Sequence, residues 1–254
     1  MDVVEKYNIK RYIDDEILEV EDNIIVEYLF TIYIDNKEFI TLICTPKSLR
    51  ELAVGFLFSE GIIRDIHDIN SMEVFEEKGC INIRLESKEL YNKKISEKRA
   101  ITTGCGKGSI YYKELDNLNS FEDSIKKTLD FSKLVKIMNE FNTKSKIFLE
   151  TGGAHSVALS DLEHTIFFEE DIGRHNALDK IIGRCIDNNI DVSDKVILTS
   201  GRVTSEIILK CAKLNINYII SRSAATNIAI DLAQKLNMRV IGFARGSKMN
   251  VYSE

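Results

Sequence analysis

The sequence predicts an α/β protein with an α+β N-terminal part and a C-terminal half built on a mostly parallel sheet. Two observations predict this. From Ala177 to Phe243, short apolar runs alternate with longer stretches whose apolar residues recur at helical spacing, the pattern of strand–helix–strand units with right-handed crossovers. The first hundred residues instead hold separate β-rich runs around one well-marked helix. Between the two lies a glycine-rich loop.

The N-terminal elements follow from local signals. Ile24 to Ile34 and Glu38 to Cys44 are rich in β-branched and aromatic residues, with Asp35-Asn36-Lys37 as the turn between them. Thr45 is expected to cap the next helix and Pro46 to open it, with Leu49, Leu52, Ala53, Phe56 and Leu57 as its apolar stripe and Gly61 as its stop. Cys80 to Leu85 is a further strand, leading into the polar stretch Glu86 to Arg99. In Thr103-Gly104-Cys105-Gly106-Lys107-Gly108-Ser109, three glycines within five residues exclude a stable helix. Ser120 to Phe141 is expected to be helical, with Ser120 and Ser132 as caps. The expected division is residues 1–115, an N-terminal domain carrying the cysteine loop at 103–109, and residues 116–254, a C-terminal domain.

In the C-terminal half, Ala177, Leu178, Ile181, Ile182 and Cys185 mark a helix and Val196 to Leu198 a strand. Ile207, Ile208, Cys211 and Leu214 mark the next helix and Tyr218 to Ile220 the next strand. Ile228, Ala229, Leu232, Ala233 and Leu236 lead to the strand Val240 to Phe243. The segments leaving these strands contain Ser200-Gly201-Arg202, Ser221-Arg222-Ser223 and Ala244-Arg245-Gly246-Ser247-Lys248. Carboxyl ends of parallel strands are where open α/β sheets bind ligands. Hydroxyls, free N–H groups and guanidinium forks placed there make an anion site, so a phosphate-bearing ligand is expected.

Composition narrows the class. Of 254 residues, 44% are hydrophobic and 29% charged, enough apolar content for a substantial core. No apolar run is long enough to cross a bilayer, and Met1 to Lys10 has no signal-peptide character, so a cytoplasmic protein is expected. The net charge of −6 is spread along the chain, which argues against nucleic-acid binding; Lys93, Lys94, Lys98 and Arg99 fit a solvated face. The five cysteines are odd in number and form no C-x-x-C pair, which argues against a zinc ribbon or a disulfide framework. Cys44, Cys80, Cys185 and Cys211 fall in regular apolar patterns and suit buried positions.

Three clusters carry possible chemistry. Cys105 sits in a loop open to close approach, and a nearby Lys107 would lower its pKa. Thr151-Gly152-Gly153-Ala154-His155-Ser156 places a histidine after a glycine turn, either as a core residue or as an acid–base group. Glu169-Glu170-Asp171-Ile172-Gly173-Arg174-His175-Asn176 precedes a helix, either as a polar site or as a charged cap. The spacing of His155, His175 and the carboxylates matches no standard metal pattern, and no metal site is predicted.

Taken together, the chain resembles the formate dehydrogenase accessory sulfurtransferase (FdhD) family. The resemblance runs through Thr45-Pro46 to Glu60-Gly61, Thr103-Gly104-Cys105-Gly106 and Thr151-Gly152-Gly153-Ala154-His155. It continues through Asp171 to Lys180, Ser200-Gly201-Arg202 and Gly242-Phe243-Ala244-Arg245-Gly246. It implies a cytidine-deaminase-like, three-layer C-terminal domain and a homodimer. It also implies a sulfurtransferase: a cysteine desulfurase donates persulfide sulfur, which passes to the molybdenum of a bis(molybdopterin guanine dinucleotide) cofactor destined for formate dehydrogenase. The family's sulfur-carrying cysteine falls on Cys105. Its cofactor-binding stretch falls on Phe243, Ala244, Arg245, Gly246, Ser247 and Lys248. The strand-end reading adds Arg202 and Arg222 to that site, and the residue clusters offer His155, His175 and Lys107 as assisting groups. A guanine nucleotide such as GDP would mimic part of that ligand. Many family members carry C-x-x-C in the loop, whereas Gly108 takes the second position here. That departure keeps open an alternative, a molybdenum-cofactor-binding chaperone without sulfur transfer. Deamination is not implied, because the zinc signature H-x-E…P-C-x-x-C is absent and Pro46 is the single proline.

Overall fold

The computed structural model describes residues 1–96, 120–121 and 130–254. The glycine loop with Cys105, Lys107 and Gly108 lies outside the described residues, as do the expected domain boundary and most of the first helical segment after Ser120. Among the described residues no helix is long and apolar enough to cross a membrane.

The chain opens with β1 (Val4–Ile13) and β2 (Glu16–Ile25), an antiparallel hairpin turned by Asp14 and Asp15 at φ 48° and 65°. A two-residue turn with both positions left-handed matches the twist of the flanking strands. Then come β3 (Tyr28–Ile34) and β4 (Lys37–Cys44), joined by Asp35 and Asn36 at φ 49° and 64°. The single strand expected over Ile24 to Ile34 is therefore two, which leave each other at Val26-Glu27. Helix α1 (Leu49–Ser59) follows, then β5 (Ile69–Phe75), β6 (Cys80–Leu85) and α2 (Glu89–Ser96). The sheet order is β4-β3-β6-β5, with only β3 and β6 parallel. Its inward residues Phe30, Ile32, Leu42, Ile81 and Ile83 meet Leu52 and Leu57 of α1 in one core. Helix α1 starts later than expected: Ser48, at φ 53°, precedes it, so Thr45 is not its cap. Gly61, at φ 71°, ends the turn beyond it as expected.

The second part begins with α3 (Phe131–Lys144) and α4 (Lys146–Thr151). The cap of α3 is Asp130, whose carboxylate accepts from the N–H groups of Ser132 and Lys133 at 3.0 and 3.3 Å; Ser132 is the second residue of the helix, not its cap. Next are β7 (His155–Ser160), β8 (Thr165–Asp171), α5 (Arg174–Asp187), β9 (Val196–Thr199), α6 (Ser205–Lys213), β10 (Tyr218–Ser221), α7 (Asn227–Lys235), β11 (Arg239–Arg245) and β12 (Lys248–Ser253). They form a six-stranded sheet in the order β12-β11-β10-β9-β7-β8. Strands β9, β10 and β11 are parallel neighbours, while β7 and β12 run against them. The alternation of side chains splits two cores. Val157, Leu159, Ile197, Ile219 and Val240 pack against α5, α6 and α7. Ala158, Leu198, Ile220 and Ile241 pack against Leu134, Ile137, Met138 and Phe141 of α3. The result is an α/β sandwich of three layers.

Two devices join the parts. Helices α1 and α5 cross in backbone contact, because a Cβ on Gly55 would lie 1.8 Å from the Asp179 carbonyl oxygen and one on Gly183 1.9 Å from that of Glu51. Beside them, Lys180 and Asp171 form a fully buried ion pair at 2.7 Å. Thr45 completes it: its N–H and hydroxyl both donate to Asp171 Oδ2 at 3.0 Å, and Lys180 Nζ donates to the Thr45 hydroxyl at 2.8 Å. The residue expected to start a helix thus closes a polar network between the parts, as buried charge requires.

Candidate functional site

The register of β9, β10 and β11 brings their carboxyl ends to one edge: Ser221 pairs with Thr199, and Ile220 with both Leu198 and Ile241. Strand β7 is antiparallel to β9, with Val157 opposite Thr199, so its first residue, His155, reaches the same edge. There His155 also pairs with Asp171, the last residue of β8. Helices α5, α6 and α7 all begin from this edge. Their exposed N–H groups and aligned dipoles favour an anion.

Arg202 follows β9 and is exposed. Arg222 follows β10; its N–H donates to the Thr199 carbonyl at 2.9 Å, and its guanidinium carbon lies 5.8 Å from the centre of the Phe148 ring. Arg245 ends β11, and its Nε donates to the Arg222 carbonyl at 2.9 Å. Arg245 and Lys248 form the last pair of the β11–β12 hairpin, so Gly246 and Ser247 are its turn, with Gly246 at φ 55°. The expected cofactor-binding stretch is therefore an exposed hairpin tip beside two strand ends. Ala244 is the exception: it is 1% exposed and packs into the α3-side core, so its side chain faces away from the edge.

Phe243 is unusual. Its φ of 49° is a left-handed conformation rarely taken by an aromatic residue. It sits in an irregular stretch of the β11–β12 ladder, and its N–H donates to the Ser223 carbonyl at 2.9 Å. A Cβ on the preceding Gly242 would come within 2.9 Å of that same carbonyl oxygen. The backbone bends so that the Phe243 ring points outward, 41% exposed, with the Arg245 guanidinium 5.9 Å from its centre.

His155 and His175 share this edge. Ser200 Oγ accepts from the Ser156 N–H at 2.9 Å and lies 3.4 Å from His155 Nδ1. Burial, then the charge of Arg174, then His175, hold His155 below the ordinary imidazole range; Asp171 pulls the other way, and Arg202 adds the smallest push downward. His155 is therefore neutral at pH 7. His175 Nε2 lies 3.0 Å from Glu206 Oε2, in the first turn of α6, and that contact is the main reason the Glu206 carboxyl is lowered. Arg174 lies against Gly201, where a Cβ would be 2.9 Å from its own Cβ. Glu206 and Phe148 are not among the residues the sequence suggests; they come from distant elements and carry no local signal. Ser200 stands in the strand-end segment Ser200-Gly201-Arg202 and Arg174 in the charged cluster before α5, but neither is singled out there as a partner of a histidine.

Among the described cysteines, Cys44, Cys185 and Cys211 are buried and Cys80 is half-buried. Burial pushes the Cys44 and Cys185 thiols up to about 12 and raises that of Cys211 further, so these three are poor nucleophiles.

The three-layer α/β sandwich brings four cationic side chains, Arg202, Arg222, Arg245 and Lys248, to the carboxyl edge of its parallel strands. The chain matches the FdhD/NarQ family over residues 25–254 and belongs to that family. It is 40% identical over 255 residues to the sulfur carrier protein FdhD of Listeria monocytogenes serovar 1/2a, covering 100% of this chain and 98% of that one. It is 39% identical over 243 residues to the sulfur carrier protein FdhD of Bacillus subtilis strain 168, covering 96% and 93%. The fold is also that of a crystal structure described as a formate dehydrogenase accessory protein from Desulfotalea psychrophila. The TM-score is 0.78 at 20% identity, with 100% of this chain and 98% of that one covered.

Proposed function

We propose that this protein is a cytoplasmic sulfur carrier for formate dehydrogenase, acting as a sulfurtransferase with a cysteine persulfide intermediate. The supporting observation is the convergence of Arg202, Arg222, Arg245 and Lys248 on one sheet edge in a chain of the FdhD/NarQ family. In this reading the Cys105 thiolate attacks the terminal sulfur of a persulfide on a cysteine desulfurase. The donor's S–S bond breaks as that of Cys105 forms, and the donor leaves as a thiolate, with no net redox change. The substrate is a molybdenum bis(molybdopterin guanine dinucleotide), whose phosphates lie along the edge against Arg245, Lys248, Arg202 and Arg222. Cys105 would then give up its outer sulfur to the molybdenum: the Cys105 S–S bond breaks, Cys105 leaves as a thiolate, and the sulfur(0) becomes sulfide by taking two electrons from a substrate that arrives with its molybdenum reduced to the Mo(IV) level. In this reading neutral His155, and His175 beside Glu206, move the protons at that edge.

A homodimer is part of the same proposal. The β1–β2 hairpin exposes Tyr7, Ile13, Leu18 and Ile24 on one face, and a two-stranded hairpin is marginal in water without cover.

Mass spectrometry after incubation with a cysteine desulfurase and cysteine tests the carrier. The expected result is a gain of one sulfur atom, removed by a reductant, in the wild type but not in Cys105→Ala. No gain on Cys105 while the desulfurase itself is charged would favour the alternative that Gly108 keeps open, a cofactor-binding chaperone without sulfur transfer.

A further inference from the structure

We propose that Phe148 is a stacking platform for a purine base of the phosphate-bearing ligand, with Arg222 beside it to bridge base and phosphates. The inference rests on reading the carboxyl edge as a nucleotide site.

Phe148 belongs to α4, outside the strand ends that define that edge, yet it is held against them. The buried Glu170 carboxylate accepts from the Ser145 hydroxyl at 2.6 Å and from the Phe148 N–H at 3.4 Å. At the other end of the helix, Gly152, at φ 70°, donates its N–H to the Phe148 carbonyl at 2.7 Å. Both backbone polar groups of Phe148 are thus tied, and its position is fixed before any ligand arrives. Ile147 is buried, whereas the Phe148 ring remains 38% exposed.

A single exposed phenylalanine would need no explanation. Here two of them bracket a row of cations. Phe148 lies beside Arg222, the Arg222 carbonyl accepts from Arg245, and Arg245 lies beside Phe243. The row links α4 to β11 across the sheet edge, with an aromatic ring at each end and guanidinium groups between. Bases have a π-face, so a fixed ring provides a stacking surface. A guanidinium both stacks on flat groups and binds phosphate through paired N–H donors. A nucleotide would use both kinds of group, with the base on the ring and the phosphates on Arg222 and Arg245. Phe243 falls within the stretch already assigned to the ligand; Phe148 adds a second ring at the opposite end.

The test is calorimetric titration of the full-length protein with GDP and, separately, with inorganic pyrophosphate. Phe148→Ala is expected to weaken GDP binding roughly ten- to a hundred-fold, the size of one base–aromatic stack, and to leave pyrophosphate binding unchanged. Phe148→Tyr is expected to retain wild-type affinity. Should Phe148→Ala melt early, Phe148→Leu keeps apolar bulk without a ring and is expected to show the same selective loss. Wild-type GDP affinity in the variant would overturn the stacking role while leaving the nucleotide site intact. Equal loss of GDP and pyrophosphate would also overturn it, because Phe148 would then be shaping the anion site. A wild-type protein that binds neither probe would overturn the nucleotide reading and this inference with it.

Discussion

His155 sits where burial and neighbouring cations act in the same direction. Its folded pKa lies below 6.5, the ordinary imidazole value, so as pH falls the unfolded chain takes up the proton first. Stability from keeping this ring neutral is therefore fully present above about pH 6.5 and is lost as pH falls from there through the lower folded value. In an NMR titration the His155 ring should titrate below 6.5, and Arg174→Met should move the midpoint upward by removing the largest electrostatic cause. An unmoved midpoint would rule out Arg174 as a cause of the shift. The two histidines were visible in the sequence because glycine turns and charge clusters frame them. Their partners were not: Ser200 comes from the end of β9 and Glu206 from α6, and only the strand register brings them near.

At the scale of elements, the α1–α5 crossing depends on two glycines. Gly55→Ala or Gly183→Ala should destabilise the protein by about 2–4 kcal/mol, because the added methyl meets a backbone carbonyl and the helices must separate. Denaturant midpoints measure this, and a loss within about 0.5 kcal/mol would mean the helices part freely. The apolar period of α1 is plain in the sequence, but nothing in it marks these glycines as contacts. The helices and parallel strands of the C-terminal half were legible because each carries a complete apolar pattern of its own. Strands β7 and β8 were not recognised, since Ser156, Ser160, Glu169, Glu170 and Asp171 are polar yet buried, which breaks the alternation. Hairpin β1–β2 was missed for the opposite reason. Both its faces are largely exposed, so charge and apolar residues mix on it.

For the whole molecule, the Asp171–Lys180 pair joins the two parts through Thr45. Lys180→Met should cost about 3–5 kcal/mol by leaving Asp171 buried without its cation, and Lys180→Met with Asp171→Leu should recover much of that loss. Thermal unfolding of the single and double variants decides it. If the double variant is no more stable than the single one, the cost lies in packing rather than in the stranded charge. The proposed role of Cys105 rests on local residue types and glycine spacing, and the proposed anion site on the periodicity that sets three arginines at strand ends. These follow from the sequence alone because the helix and strand periods and the glycine backbone are properties of short segments. Which side chains share an edge is decided by register and topology. Tertiary structure alone turned Ala244 inward, set Thr45 on a buried ion pair instead of a helix cap, and brought Phe148 beside Arg222. Each of these depends on a neighbour at least 74 residues distant along the chain or on the far side of a sheet, and no local pattern encodes that distance.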